Sequence, residues 1–387
     1  MRTVPILPGG FILRNIFRNL NKKHTYILTV LVLLCVASIM FVHNNHSFYE
    51  RPIAEVIETH LEEATEVVDE FDNEDRLFTQ HILAVLKNGP KKGQRIQLRN
   101  EYSSSKAFDQ EYRLGDEVFV SVNSPGGNTE LTGSIESVKR DTYIVFVGWI
   151  FIFTLLLVGK KQGLFSIISL IVNAALLSYA LDIYINYSSI SLLFICSVSI
   201  VLFTIISLAL VNGFNEKTYA AIVATLLGTF TSLLITYFVL WVTSEQGLRY
   251  EEIQFITRPY QVVFMAGLFI GSLGAVMDVA ITMSSSIFAL YEKNHNIDIK
   301  ALIQSGMEIG KDIMGTMTNI LFFVYISGSI PTLLLYMKNE YPLGFILSIN
   351  LSLELARALA GGIGIVLTIP IGLYISILFL KRKQAAS

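Results

Sequence analysis

A chain of 387 residues with 52% apolar and only 16% charged residues is too hydrophobic for an ordinary soluble protein. Several stretches of more than seventeen residues carry no charge, which places it among α-helical proteins that cross a membrane several times. The formal net charge of −2 gives no reason to expect a nucleic-acid partner, and Cys35 and Cys196, both in apolar stretches, argue against a disulfide framework or a metal site.

Residues 1–25 contain Arg2, Arg14, Arg18, Lys22 and Lys23 and no acid. The apolar run from Tyr26 to Val42 comes next. Its exit, MFVHNNH, lacks the small-x-small pattern of a cleaved signal peptide, so it reads as an uncleaved first span. Its basic flank puts the N-terminus in the cytoplasm.

Residues 43–141 form the one sizeable hydrophilic block, expected to be extracytoplasmic. Its stretch from Glu50 to Asp75 holds eleven carboxylates against a single arginine. Period-two alternation predicts five strands at Ile53–His60, Leu77–Lys87, Gln94–Arg99, Glu117–Asn123 and Thr132–Val138. Lys87–Pro90 and Ser124–Asn128 are turns rich in Asn, Gly and Pro. Five short strands suit a small all-β barrel of the OB type. The acidic balance and the lack of an aromatic-plus-basic stripe argue against nucleic acid as its ligand. His43, His46, His60 and His81 are scattered without metal-ligand spacing and read as surface residues, so no metal or other cofactor is expected.

Residues 142–387 read as seven further spans at about 143–158, 164–181, 190–211, 218–243, 260–290, 313–337 and 358–380. With the first span this makes an α-helical polytopic protein of about eight helices. Lys160, Lys161, Lys217, Lys293, Lys300 and the closing Lys381-Arg382-Lys383 then fall on the N-terminal side, so both termini are cytoplasmic. The outer loop 244–259 carries Arg249 and Arg258 among Glu245, Glu251 and Glu252. This count treats 343–357, with Asn350, Glu354 and Arg357, as an outer lead-in or re-entrant piece.

Three of these spans carry polar groups on small-residue stripes. In the sixth, Gly267, Gly271, Gly274, Asp278 and Ser285 share one helical face. In the seventh, Glu308, Asp312, Gly315 and Asn319 do, with Thr316 beside them. In the eighth, Glu354, Arg357, Gly361, Gly364, Thr368 and Gly372 do. Small residues let helices approach closely in lipid, so the glycines alone are explained by packing. Lys311 can pair Glu308 one turn away, and Arg357 can pair Glu354. Asp278 has no basic residue three or four positions away, which makes it the leading candidate for a proton or substrate pathway, with Asp312 and Asn319 next. No HExxH, Walker loop or GxSxG is present, nor a YD or GxGD context for intramembrane aspartyl proteolysis, so the chain is not expected to be an enzyme.

The stretches GSLGAVMDVAITMSSSI, SGMEIGKDIMGTMTN and LARALAGGIGIVLTIPI resemble the YibE/F family of bacterial membrane proteins. That resemblance covers most of the chain. It implies a plasma-membrane location, an extracytoplasmic domain after the first span, and pairing with a second copy or with a shorter relative that lacks the β module. Ile320 and Phe322-Phe323 are bulkier than the family pattern leads one to expect. The architecture is also similar to that of the SecD/SecF and resistance-nodulation-division permeases, in which intramembrane carboxylates relay protons, although this chain has two more spans.

Overall fold

The computed structural model describes residues 22–62, 64–70, 72–106, 109–123, 131–187, 190–250 and 259–386. The basic side chains Arg2, Arg14 and Arg18, the Ser124–Asn128 turn, and Glu251, Glu252 and Arg258 lie outside these residues. The chain divides into two compact units, Met1–Thr154 and Leu155–Ser387.

The first unit begins with helix α1 (Lys22–His43) and a 3-10 turn at Asn45–Phe48. Six strands come after it: β1 (Ile53–Leu61), β2 (Thr65–Val68), β3 (Glu74–Leu86), β4 (Arg95–Ser103), β5 (Glu117–Asn123) and β6 (Leu131–Val138). They lie in the order β1-β5-β6-β4-β3-β2, and a further pairing of β1 with β3 closes five of them into a barrel. Closure removes the free edges of those strands. Among the described pairings only β4–β6 is parallel. Alternate side chains fill the interior, as the two-residue period of a strand requires: Val56, Ile82, Ala84, Leu86, Ile96, Leu98, Val118 and Val120. Gly133 sits where the β6 backbone closes against Ser121 and Ile96, and a side chain there would collide with both.

All five expected strands are present, with ends shifted by up to four residues. The extra strand β2 lies in the acidic stretch and pairs with the start of β3, from Thr65 opposite Leu77 to Val68 opposite Glu74. Its side chains are mostly exposed. With no buried face it has no alternation to reveal it.

Helix α2 (Asp141–Asn186) has one non-helical residue, Lys160, at φ 49° and ψ −120°. Just past it, Gly163 packs against the Leu155 carbonyl, so the chain turns back on itself at this point. The second unit continues through α3 (Leu192–Asn212), α4 (Glu216–Val242), α5 (Tyr260–Lys293), α6 (Ile299–Ser327), α7 (Ile330–Lys338) and α8 (Leu343–Ala386). Among the described residues, five helices are long and apolar enough to cross a membrane, or six when α6 and α7, bent by 56°, count as one span. The expected eight differ from this count for physical reasons. The segments 143–158 and 164–181 are two helical arms that meet at the Lys160 kink and count once in that total, and the described apolar part of α1, Thr29–His43, is short. The segment 343–357 is no separate re-entrant piece: it is the first part of the unbroken helix α8. The seventh span is helical from Ile299, well before 313, and breaks just ahead of Pro331. Proline lacks an amide donor and fits the first turn of a new helix better than the interior of an old one.

Helix α8 lies against α4, α5 and α6. Its glycines let the backbones close in. Gly361 faces Leu321 at 2.7 Å and Ser272 at 3.4 Å, measured from where a Cβ would stand. By the same measure Gly364 faces Val276 at 3.1 Å and Ser232 at 3.3 Å, and Gly372 faces Met283 at 3.5 Å. The surrounding core is Val279, Met283, Ile287, Leu321, Ile365, Ile369 and Leu373.

Candidate functional site

The three polar stripes have different fates. The α8 stripe is interior: Gly361, Gly364 and Thr368 are buried, and the Thr368 hydroxyl donates to the Gly364 carbonyl at 2.7 Å. Glu354 and Arg357 form the expected one-turn ion pair, partly buried. The Arg357 guanidinium also lies 5.3 Å over the Phe264 ring.

The α5 stripe faces outward. Gly267, Gly271, Gly274 and Asp278 are exposed, while Phe264, Leu268, Val276, Val279 and Met283 bury the opposite face. Nothing lies within 4 Å of the Cβ position of Gly267 or Gly274. Ser285 is half-buried. Asp278 has no hydrogen bond or ion pair among the described residues.

The α6 stripe is likewise exposed. Gly306 and Gly310 turn toward α8, meeting Leu373 and Ile369, and this leaves Glu308, Lys311, Asp312, Gly315, Thr316 and Asn319 on the open side. Glu308 and Lys311, one turn apart and able to pair, form no ion pair among the described residues. Thr316 donates only to the Ile313 carbonyl one turn back, at 2.9 Å.

Helices α5 and α6 run antiparallel, and two contacts fix their register. Gly306 meets Ile287, and Gly271 meets the Tyr325 hydroxyl. Asp278 falls between these contacts, level with the Gly315–Asn319 turn. The register thus puts Asp278, Thr316 and Asn319, each exposed, at a similar level along the two helices. It sets Glu308, Lys311 and Asp312 toward the Ile287 end and Glu354–Arg357 toward the Tyr325 end.

Sequence reasoning missed several polar residues here. Gly228 on α4 touches Thr368 closely, and the Ser232 hydroxyl donates to the Ala360 carbonyl at 2.7 Å. The run of Thr218, Thr225, Gly228, Thr229, Ser232 and Thr236 on α4 is buried. A four-residue spacing of small polar residues was the available signal.

The first unit contains a second constellation, also missed. Lys139, with 1% of its side chain exposed, lies 2.8 Å from Glu117 Oε2 and 3.1 Å from Asp141 Oδ1. It also donates to the Val42 carbonyl at 2.9 Å. His46 Nε2 meets the other Glu117 oxygen at 2.5 Å. Asp141 Oδ2 accepts from the Tyr49 hydroxyl at 2.9 Å and from Asn45 Nδ2 at 3.0 Å. The network joins the end of α1, the 3-10 turn, β5, the end of β6 and the start of α2. Ser38 on α1 accepts from the Trp149 indole at 2.6 Å, which ties the two helices together further along. Burial alone would raise the Glu117 carboxyl. The hydrogen bonds from Lys139 and His46 outweigh it and hold Glu117 below its usual range. Burial likewise opposes the Lys139 charge, but Glu117 and Asp141 outweigh it and raise Lys139 above the ordinary lysine value. His46, expected at the surface, is therefore a structural partner. No group of His, Cys, Asp and Glu arranged to hold a metal ion occurs among the described residues.

Comparison with known families gives two matches. The family described as "YibE/F-like protein" matches residues 147–382, and "YibE/F family N-terminal domain" matches residues 47–138. No curated protein and no solved structure matches.

Proposed function

The chain belongs to the YibE/F-like family, and from that premise we propose that it is a permease or exporter component, proton-coupled through Asp278. The observation that carries this reading is a mid-helix carboxylate on an open face of α5, without a partner among the described residues, level with Thr316 and Asn319. A carboxylate at the centre of a bilayer costs about 2.5–3.5 kcal/mol on insertion scales. That face therefore borders a wet path or another protein surface rather than lipid chains, and a second copy or a shorter relative is its expected cover. In this reading the chain crosses the plasma membrane eight times, counting α1, the two arms of α2 and the α6–α7 pair. Both termini are cytoplasmic, and the OB-like barrel stands outside. No catalytic chemistry is proposed.

The test is Asp278→Asn at normal expression. Export or the associated growth phenotype is expected to fall to the level of the deletion strain. Wild-type function in that variant removes the proposal. A scaffold role is the second reading, favoured by the Lys139 network that fixes the barrel to α1 and α2. Deleting residues 50–140 separates the two: a scaffold loses all function, whereas a path through α5 and α6 keeps part of it.

A further inference from the structure

A cavity of about 600 Å³ opens in the first unit, between the barrel and the first turns of α2. Its volume is in the range of sites that hold small organic ligands. Its chemistry is divided. One end is the outer face of α2, where Tyr143, Ile144 and Val147 are 68%, 68% and 63% exposed. Helix α2 is apolar enough to cross a bilayer; in the reading above this face continues into acyl chains, with Tyr143 near the bilayer border, where tyrosines are enriched. The other end is polar. Arg140 is exposed and has no ion pair among the described residues, and its planar fork of donors suits a phosphate. Glu111 and Asp116 complete that rim. Glu111 is shared with Lys106 at 3.0 Å and Arg113 at 3.6 Å, and Asp116 Oδ2 accepts from the Arg113 amide at 2.8 Å.

Glu111 is already shared between two cations, but Asp116 has no ion pair among the described residues, so a simple anion at Arg140 would face an unneutralised carboxylate. This rim complements a headgroup that carries a phosphate next to a cation. The apolar end requires acyl chains on the same molecule. We propose that this cavity binds a glycerophospholipid with a primary-amine headgroup. Its phosphate meets Arg140, its ammonium hydrogen-bonds Asp116 and Glu111, and its chains lie along Tyr143, Ile144 and Val147. The occupant comes from the bilayer itself. The proposal rests on α2 crossing the membrane, part of the reading above, and not on proton coupling through Asp278.

The experiment is native mass spectrometry of the full chain released from vesicles of equal parts phosphatidylethanolamine, phosphatidylcholine and phosphatidylglycerol. Retention of the ethanolamine lipid is expected to exceed that of each of the others at least fivefold. The choline lipid has the same charges but no N–H to donate, and the glycerol lipid lacks the cation. Arg140→Gln and Val147→Trp, which act on opposite ends of the cavity, are each expected to remove the excess without shifting the melting temperature of the barrel. Lys92→Gln, outside the cavity, is expected to keep it. Equal retention of the three lipids overturns the proposal, as does preference for the glycerol lipid or full retention in both variants. Asp278→Asn is expected to retain the lipid like the wild type, so loss of the lipid site and loss of the coupling reading register separately.

Discussion

Lys139 is the side chain on which the end of α1, strand β5 and the start of α2 converge, and its environment makes definite demands. Replacing it by Met leaves Glu117 and Asp141 without their cation in a largely buried place. Breaking a buried pair from one side costs about 3 kcal/mol or more. Thermal unfolding of the full chain in detergent is expected to show that loss as a lower melting temperature. The same network sets a pH window. Glu117 is held below its ordinary value of 4.5, so its contribution is complete above about that pH and is lost as pH falls through the depressed folded value. Lys139 is raised above its ordinary 10.5, so its contribution is complete below that pH and is lost as pH rises through the elevated one. The wild type is expected to keep a stability plateau between these limits, and Lys139→Met a lower plateau with shallower flanks. Glycines give a second contrast. Gly228→Ala drives a methyl into Thr368 and is expected to cost about 1–3 kcal/mol. Gly267→Ala meets open space inside a helix and is expected to stabilise by up to about 1 kcal/mol. Denaturation of the two variants side by side checks both. None of this network was legible in the sequence. Lys139 sits in an unremarkable Lys-Arg-Asp run; of its partners only Asp141 is local, while Val42 and Glu117, and His46 behind Glu117, are far away along the chain, so no spacing rule could find them.

At the scale of elements, the helical period showed which residues share a face but not what each face meets. The stripes of α5, α6 and α8 look alike as sequence. In the structure the α8 stripe is enclosed by α4, α5 and α6, while most of the α5 and α6 stripes are exposed. The difference comes from neighbours, and one helix's own sequence does not contain them. The Glu354–Arg357 pair was legible because it is local, at one turn's spacing. The break in α2 has its own signature. Lys160 has φ 49°, a region that side chains with a Cβ enter at a cost of about 1–3 kcal/mol. Lys160→Gly is expected to raise the melting temperature, and Lys160→Val to lower it.

For the whole molecule, five of six strands and the apolar character of every long helix could be read from the sequence. Strand β2 and the exact extents of α6 and α8 could not, because exposed strands and helix continuations carry no periodic mark. The proposed eight crossings give a direct expectation. With Cys35 and Cys196 replaced by Ser, a single thiol at Glu101 is expected to react with a membrane-impermeant reagent in intact cells. One at Lys161 is expected to react only after the membrane is opened. Labelling of both from outside would reverse the assignment of the α2 arms.

The hydrogen bond from Lys139 to the Val42 carbonyl spans 97 residues of chain. It supplies a donor to one of the orphan carbonyls at the end of α1. Strand β6 ends at Val138, one residue before the cation arrives. A chain interrupted there has every barrel strand and still lacks the bolt. In the order of synthesis, helix α1 waits for the whole β domain to be made before its own end is fastened. The fastening therefore records that the domain is complete just as the next helix begins.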